Sequence, residues 1–133
     1  MRPICLLGFL CLVGCNSDNS PPLNGIVVTN TDIDESYVIG NCDDRSPDDT
    51  PVLFATARLF LDNDHTKPVG DAVVSDKNGR YVLPAKGLPR PIDNDGRFFL
   101  LIEADGYISA SHPITTGPLS RYVQHAVYLR KKQ

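Results

Sequence analysis

The stretch Asp71–Pro84, "DAVVSDKNGRYVLP", decides the fold. Two short runs rich in Val, Tyr and Leu flank "KNG" at Lys77–Gly79, a tight-turn signal, so the stretch predicts strand, reversal and strand. Upstream, "VLFATARLFL" at Val52–Leu61 alternates, with Ala55, Ala57, Leu59 and Leu61 on one face and Thr56 and Arg58 on the other. Between these runs, "DNDHTKPVG" supplies turn residues, including Pro68. Downstream, a Pro/Gly-rich loop over Ala85–Gly96 is too broken for a helix. "RFFLLIEA" at Arg97–Ala104 is the most apolar run of the domain and predicts the centre of a sheet. "DG" at Asp105–Gly106 turns the chain into "YISASHPI", and "TTGPLS" leads into "RYVQHAVYLR". That last run places Val123, His125, Val127 and Leu129 on one face. Short strands with one apolar face each need a second sheet to cover them, which predicts an all-β, antiparallel β-sandwich of about seven strands.

The first 24 residues are of another kind. "MRPICLLGFLCLVGC" has one basic residue, Arg2, then an apolar run from Ile4 to Val13. Such a run is too short to span a bilayer as a helix but fits the apolar region of an export signal. Its end, "LVGC" at Leu12–Cys15, resembles the lipobox of bacterial lipoproteins, with small Gly14 before the cut and an aliphatic residue three positions before Cys15. The resemblance implies that residues 1–14 are a signal peptide and that Cys15 becomes the first residue and carries lipid. Each buried methylene is worth roughly 0.8 kcal/mol, so two or three acyl chains anchor firmly where one holds marginally. Asn16, rather than Asp, follows the cysteine, and by the enteric sorting pattern this implies the outer membrane over the inner. The implied location is the bacterial cell envelope, with the lipid bilayer as a partner through Cys15.

Removing the signal takes Cys5 and Cys11 with it, and lipid occupies Cys15, leaving Cys42 alone. An intramolecular disulfide and a four-cysteine zinc site are both excluded. Cys42 is then a buried small side chain, an intermolecular partner or a reactive thiol; the inert reading leads, because no His or Lys adjoins it in sequence. Residues 15–24 read as lipidated cysteine and polar, Pro-Pro-containing tether. Residues 25–51 read as an acidic leader, and "LNGIVVT" at Leu23–Thr29, which overlaps its start, and "SYVIG" within it predict one or two edge strands. Eight acidic side chains face Arg45 alone in residues 15–51, whereas residues 52–133, the sandwich domain, hold eleven basic and eight acidic ones. The negative total and the export signal disfavour nucleic acid as a partner.

"ARLFLDNDHTKPVGDAVVSDKNGRYVLP" followed by "FFLLIEADGYISAS" resembles the transthyretin-like, or carboxypeptidase-regulatory-like, β-sandwich family. The matching elements are Pro68–Val73, Asp76–Leu83 and Ala104–Tyr107, within a resemblance covering Val52–Leu129. It implies a Greek-key sandwich of transthyretin (prealbumin) type. Members include stalk modules, accessory domains, carriers and a few enzymes, so the fold does not carry a function. The hydroxyisourate hydrolase branch ends in a "YRGS"-like motif; this chain ends "YLRKKQ" and departs there. The dioxygenase branch holds iron through two tyrosines and two histidines. Tyr81, Tyr107, Tyr122, His112 and His125 supply the residue types without that branch's local motifs, and no cofactor is assigned.

Other chemistry is sparse. Asp62 and Asp64 in "DNDHT", and Asp93 and Asp95 in "DNDG", place carboxylates two apart in loops, the minimal pattern for a weak calcium site. Neither stretch reaches the distal Glu of a twelve-residue calcium loop, and ordinary solvated turns are the preferred reading. His65 reads as an exposed loop residue and His125 as a buried, satisfied histidine. Ser75, Ser109, Ser111 and Ser120 lack a nucleophile-elbow context. The expectation is a non-enzymatic, membrane-tethered binding or structural module that contacts an envelope protein, peptide or glycan. The alternative is a small periplasmic hydrolase using His112, His125 and an arginine.

Overall fold

The computed structural model describes residues 20–41, 48–89 and 96–133. Among them the chain is all-β, without a helix. The strands are β1 (Leu23–Thr29), β2 (Tyr37–Gly40), β3 (Thr50–Pro51), β4 (Thr56–Phe60), β5 (Pro68–Val74), β6 (Arg80–Leu83), β7 (Phe98–Glu103), β8 (Ala110–Ile114) and β9 (Gln124–Tyr128). They form two sheets. In the first, β2, β9 and β1 lie side by side, and the far flank of β1 is shared by β3 and β6. In the second the order is β5, β4, β7, β8.

The strands alternate as their sequences dictate, and the inward rows of both sheets meet in one core. Leu23, Val27, Tyr81, Leu83, Val127 and Leu129 come from the first sheet; Ala57, Leu59, Phe98, Leu100, Ile102 and Ile114 come from the second. All are buried, with Leu100, Ile102 and Ile114 wholly so. As expected, the "FFLLIE" strand sits inside its sheet, flanked by β4 and β8. Ala55, Ala57 and Leu59 are buried as their alternation predicts.

The leader strand "LNGIVVT" differs from the edge position expected for it. It is β1, flanked on both sides and parallel to β9, while "YVIG" (β2) does take the edge. The physical reason lies in its "IVV" run: Val27 faces the core, whereas Ile26 and Val28 form a second buried cluster with Ala126 on the opposite face. A strand covered on both faces needs continuous apolar side chains and belongs in a sheet interior. Tyr128 packs on that outer cluster, stacks on Tyr37 with ring centroids 4.9 Å apart, and donates its hydroxyl to Asp49 at 3.0 Å. Among the described residues the first strand begins at Leu23, and residues of the leader contribute to both sides of one sheet.

The "KNG" stretch forms the tight turn expected of it, closed by the Gly79 amide on the Asp76 carbonyl at 2.9 Å, but the strands it joins do not pair. β5 and β6 lie in different sheets, so Asp76–Gly79 is a corner between sheets and not the loop of a paired hairpin. The Asp76 carboxylate accepts from the amides of Asn78 (2.9 Å) and Arg80 (3.0 Å). These amide bonds, that of Arg80 first, hold the Asp76 carboxyl below its ordinary pKa. Gly79 has φ +77°, and a Cβ there would lie 2.4 Å from the Val27 carbonyl oxygen, so only glycine fits the corner. A second crossing, from β3 to β4, is fixed by buried Ser75. Its hydroxyl donates to the Val52 carbonyl at 2.7 Å and accepts from the Ala55 amide at 2.9 Å. Pro68, expected in a turn, opens β5 instead, at an edge where its missing N–H is tolerated. A bulge opposite Arg58 interrupts that same edge, and Arg58 Nε donates to the Gly70 carbonyl at 3.0 Å.

Candidate functional site

Across the first sheet, four residues at one register form a row: Gly40, His125, Gly25 and Tyr81, on β2, β9, β1 and β6. They share the inward face with Val127 and Leu83. With glycines on both sides, the two rings can lean toward each other across one intervening strand. Tyr81 Oη and His125 Nε2 lie 2.5 Å apart, and their ring centroids are 5.5 Å apart at 63°. A Cβ on Gly25 would lie 2.3 Å from the Tyr81 ring, and one on Gly40 would lie 2.8 Å from the Arg121 side chain.

The other nitrogen of His125 is also spoken for: Nδ1 lies 2.8 Å from the Tyr122 carbonyl oxygen. A carbonyl only accepts, so Nδ1 carries the proton and Nε2 accepts from the Tyr81 hydroxyl. His125 is 1% exposed, and burial lowers its pKa, an effect partly countered by the Tyr122 carbonyl. Burial likewise pushes the Tyr81 phenol up. Both groups are held neutral, with every ring nitrogen and the phenol proton used inside the fold.

Tyr122 connects this buried pair to the surface. Ser120 accepts from the Tyr122 amide at 3.1 Å and donates to the Thr115 carbonyl at 2.7 Å, which fixes the approach to β9. The Tyr122 hydroxyl lies 2.9 Å from His112 Nε2 on β8. Partial burial lowers the His112 pKa, and the Arg121 charge adds to the effect. Arg121 also sits over the Tyr122 ring, 6.0 Å from its centroid. The structure thus brings His112, His125 and Arg121 around one tyrosine, the grouping that the hydrolase alternative needs. It supplies no free base there at His125, whose two nitrogens are engaged. The residue types of the dioxygenase iron set also meet, but as two direct pairs. Tyr81 faces His125 and Tyr122 faces His112, so each phenol oxygen points at an imidazole nitrogen.

The loop carboxylates serve the loop. Asp62 takes the amides of Thr66 and Lys67, both at 3.0 Å, and the Thr66 hydroxyl. The Thr66 hydroxyl is the chief cause of its lowered pKa. Among the described residues no three His, Cys, Asp or Glu side chains are grouped as a metal site would require, and Asp64 joins no such group. Asp93 and Asp95, Cys42 and Cys15, the residue expected to carry lipid, lie outside the described residues. His65, expected on an exposed loop, is half-buried: it packs edge-on against Phe60 and its Nε2 lies 2.8 Å from Ser111 Oγ.

Sequence reasoning missed the roles of Gly25 and Gly40. Their signal was a glycine within the run "LNGIVVT" and one closing "YVIG", and a glycine in a strand marks a close approach by a neighbouring group. No protein-family model, curated protein or solved structure matches the chain.

Proposed function

We propose that the protein is a non-enzymatic, membrane-tethered binding or structural module of the bacterial cell envelope. The fold we assign it is a transthyretin-like, Greek-key sandwich held at the bilayer by lipid on Cys15. The observation that carries the non-enzymatic reading is the saturation of His125: its two ring nitrogens are used by Tyr81 and Tyr122 within the fold. A general base needs a free nitrogen within hydrogen-bond reach of substrate. The type of sandwich is supported by where the family-like elements fall. Pro68–Val73 lies on β5, Asp76–Leu83 spans the corner and β6, and Ala104–Tyr107 forms the turn after β7, closed by the Tyr107 amide on the Ala104 carbonyl at 3.1 Å.

The tether is tested by labelling growing bacteria with a palmitate analogue. Label on the wild-type chain, its loss in Cys15→Ala and release of that variant from membranes support the reading. Unlabelled wild-type protein overturns it. Crosslinking in the native envelope tests the module: one stoichiometric partner supports it, and turnover of a small substrate with no partner contradicts it.

A further inference from the structure

At the end of the sandwich away from the His125 row, β1 and β9 finish and the loops open into a groove of about 400 Å³. We propose that this groove binds one neutral saccharide unit. The proposal rests on the binding-module reading and gives that module its ligand class.

Three observations carry it. First, the lining is polar: Thr29, Thr31 and Thr50 supply hydroxyls, and Ile33 and the Tyr107 ring are its main apolar surfaces. Pockets for drug-like ligands have the opposite balance. Second, both signs of charge line the same space, with Asp34 and Asp48 against Arg130 and Lys131. A simple anion would meet the carboxylates, and a simple cation would meet Arg130 and Lys131. A hydroxyl donates to a carboxylate and accepts from a guanidinium or ammonium at once, so a neutral polyol uses all of them. Third, Thr29 is only 5% exposed and lines the groove, yet its hydroxyl has no partner among the described residues. Buried hydroxyls are paired in native proteins, and one left open at a groove wall points to a ligand atom.

The walls are set before any ligand arrives. The Arg130 amide donates to Ser36 Oγ at 3.0 Å, and its Nη1 donates to the Asp34 carbonyl at 2.6 Å. Tyr107 pairs with Lys131 across an isolated bridge, and the neighbouring Ile108 amide reaches the Arg130 carbonyl at 2.8 Å. Tyr107 packs against the core, which fixes its ring as a platform for the C–H face of a sugar.

The test uses the full lipidated chain in phosphatidylcholine nanodiscs and saturation-transfer NMR. Glucose and N-acetylglucosamine are the sugar probes; acetate and methylammonium are the ionic ones. The expected result is transfer to sugar ring protons that falls at least tenfold in Thr29→Val and in Arg130→Gln. Thr29→Val should melt no lower than the parent, because it removes a buried, unpaired hydroxyl, so its loss of binding cannot be loss of fold. Absence of sugar transfer at millimolar concentration, transfer unchanged in both variants, or binding of the ionic probes alone would overturn the proposal. Failure here with Cys15-dependent membrane attachment intact refutes the groove and leaves the tether. Sugar binding by wild-type protein that takes up no palmitate label in its own envelope refutes the tether and leaves the groove.

Discussion

Tyr81 and His125 stand on strands separated by β1, yet Tyr81 Oη and His125 Nε2 are 2.5 Å apart because the residue between them is Gly25. One absent side chain lets two polar rings satisfy each other inside an apolar layer. The pair is buried, so its hydrogen bond contributes chiefly by avoiding an orphaned polar group.

Tyr81→Phe leaves His125 Nε2 buried without a donor. The variant is expected to lose about 1–3 kcal/mol in urea unfolding, with little change in the denaturant slope. An unchanged midpoint would mean the pair adds nothing.

Gly25→Ala drives a methyl to 2.3 Å from the Tyr81 ring, so the ring must leave His125. Overpacking of this kind costs about 1–3 kcal/mol, to which the broken hydrogen bond adds. In a Tyr81→Leu background the same change should be much milder, and a double-mutant cycle reads that coupling. Equal effects in both backgrounds would place the strain elsewhere.

Stability should fall in mild acid. The pKa of His125 is lowered in the folded state by burial, and that of His112 is lowered as well. Below the ordinary histidine value of about 6.5 the unfolded chain takes up protons that the folded chain refuses. Histidine-linked stability is therefore complete above about pH 6.5, is lost as pH drops toward the folded pKa values, and changes no further below them. For His125 the slope in that window is at most about 1.4 kcal/mol per pH unit, the value for one whole proton. Melting curves from pH 8 to 5 should show the decline in the parent and a shallower one in His125→Gln.

Ser75→Ala removes the hydroxyl that joins Val52 and Ala55, both buried at the crossing from β3 to β4. About 1–3 kcal/mol should be lost in urea unfolding. Hydrogen exchange should quicken first at the Ala55 amide, which is left without its acceptor.

Much of the sandwich was legible because strands declare themselves by alternation. "FFLLIE" announced an interior strand, and Asp76 with Gly79 announced a reversal of the chain. Which strands pair was not legible. β1 and β9 are separated by most of the chain and run parallel, and no local signal states such a partnership. The "IVV" run did hold the clue that β1 is covered on both faces, but the acidic residues after it disguised the strand as part of a leader. Of the candidate site, His125 was readable as an inward residue. Its meeting with Tyr81 was not, since it depends on a glycine in a third strand.

The central claim is that the inward histidine completes the fold and performs no acid–base chemistry. Nitrogen-15 NMR of the His125 imidazole tests this most directly, followed from pH 8 to 5.5. The account predicts a single neutral tautomer with the proton on Nδ1, slow solvent exchange, and no titration at the ordinary histidine value. A His125 ring that takes up a second proton near pH 6.5 and exchanges freely would contradict it.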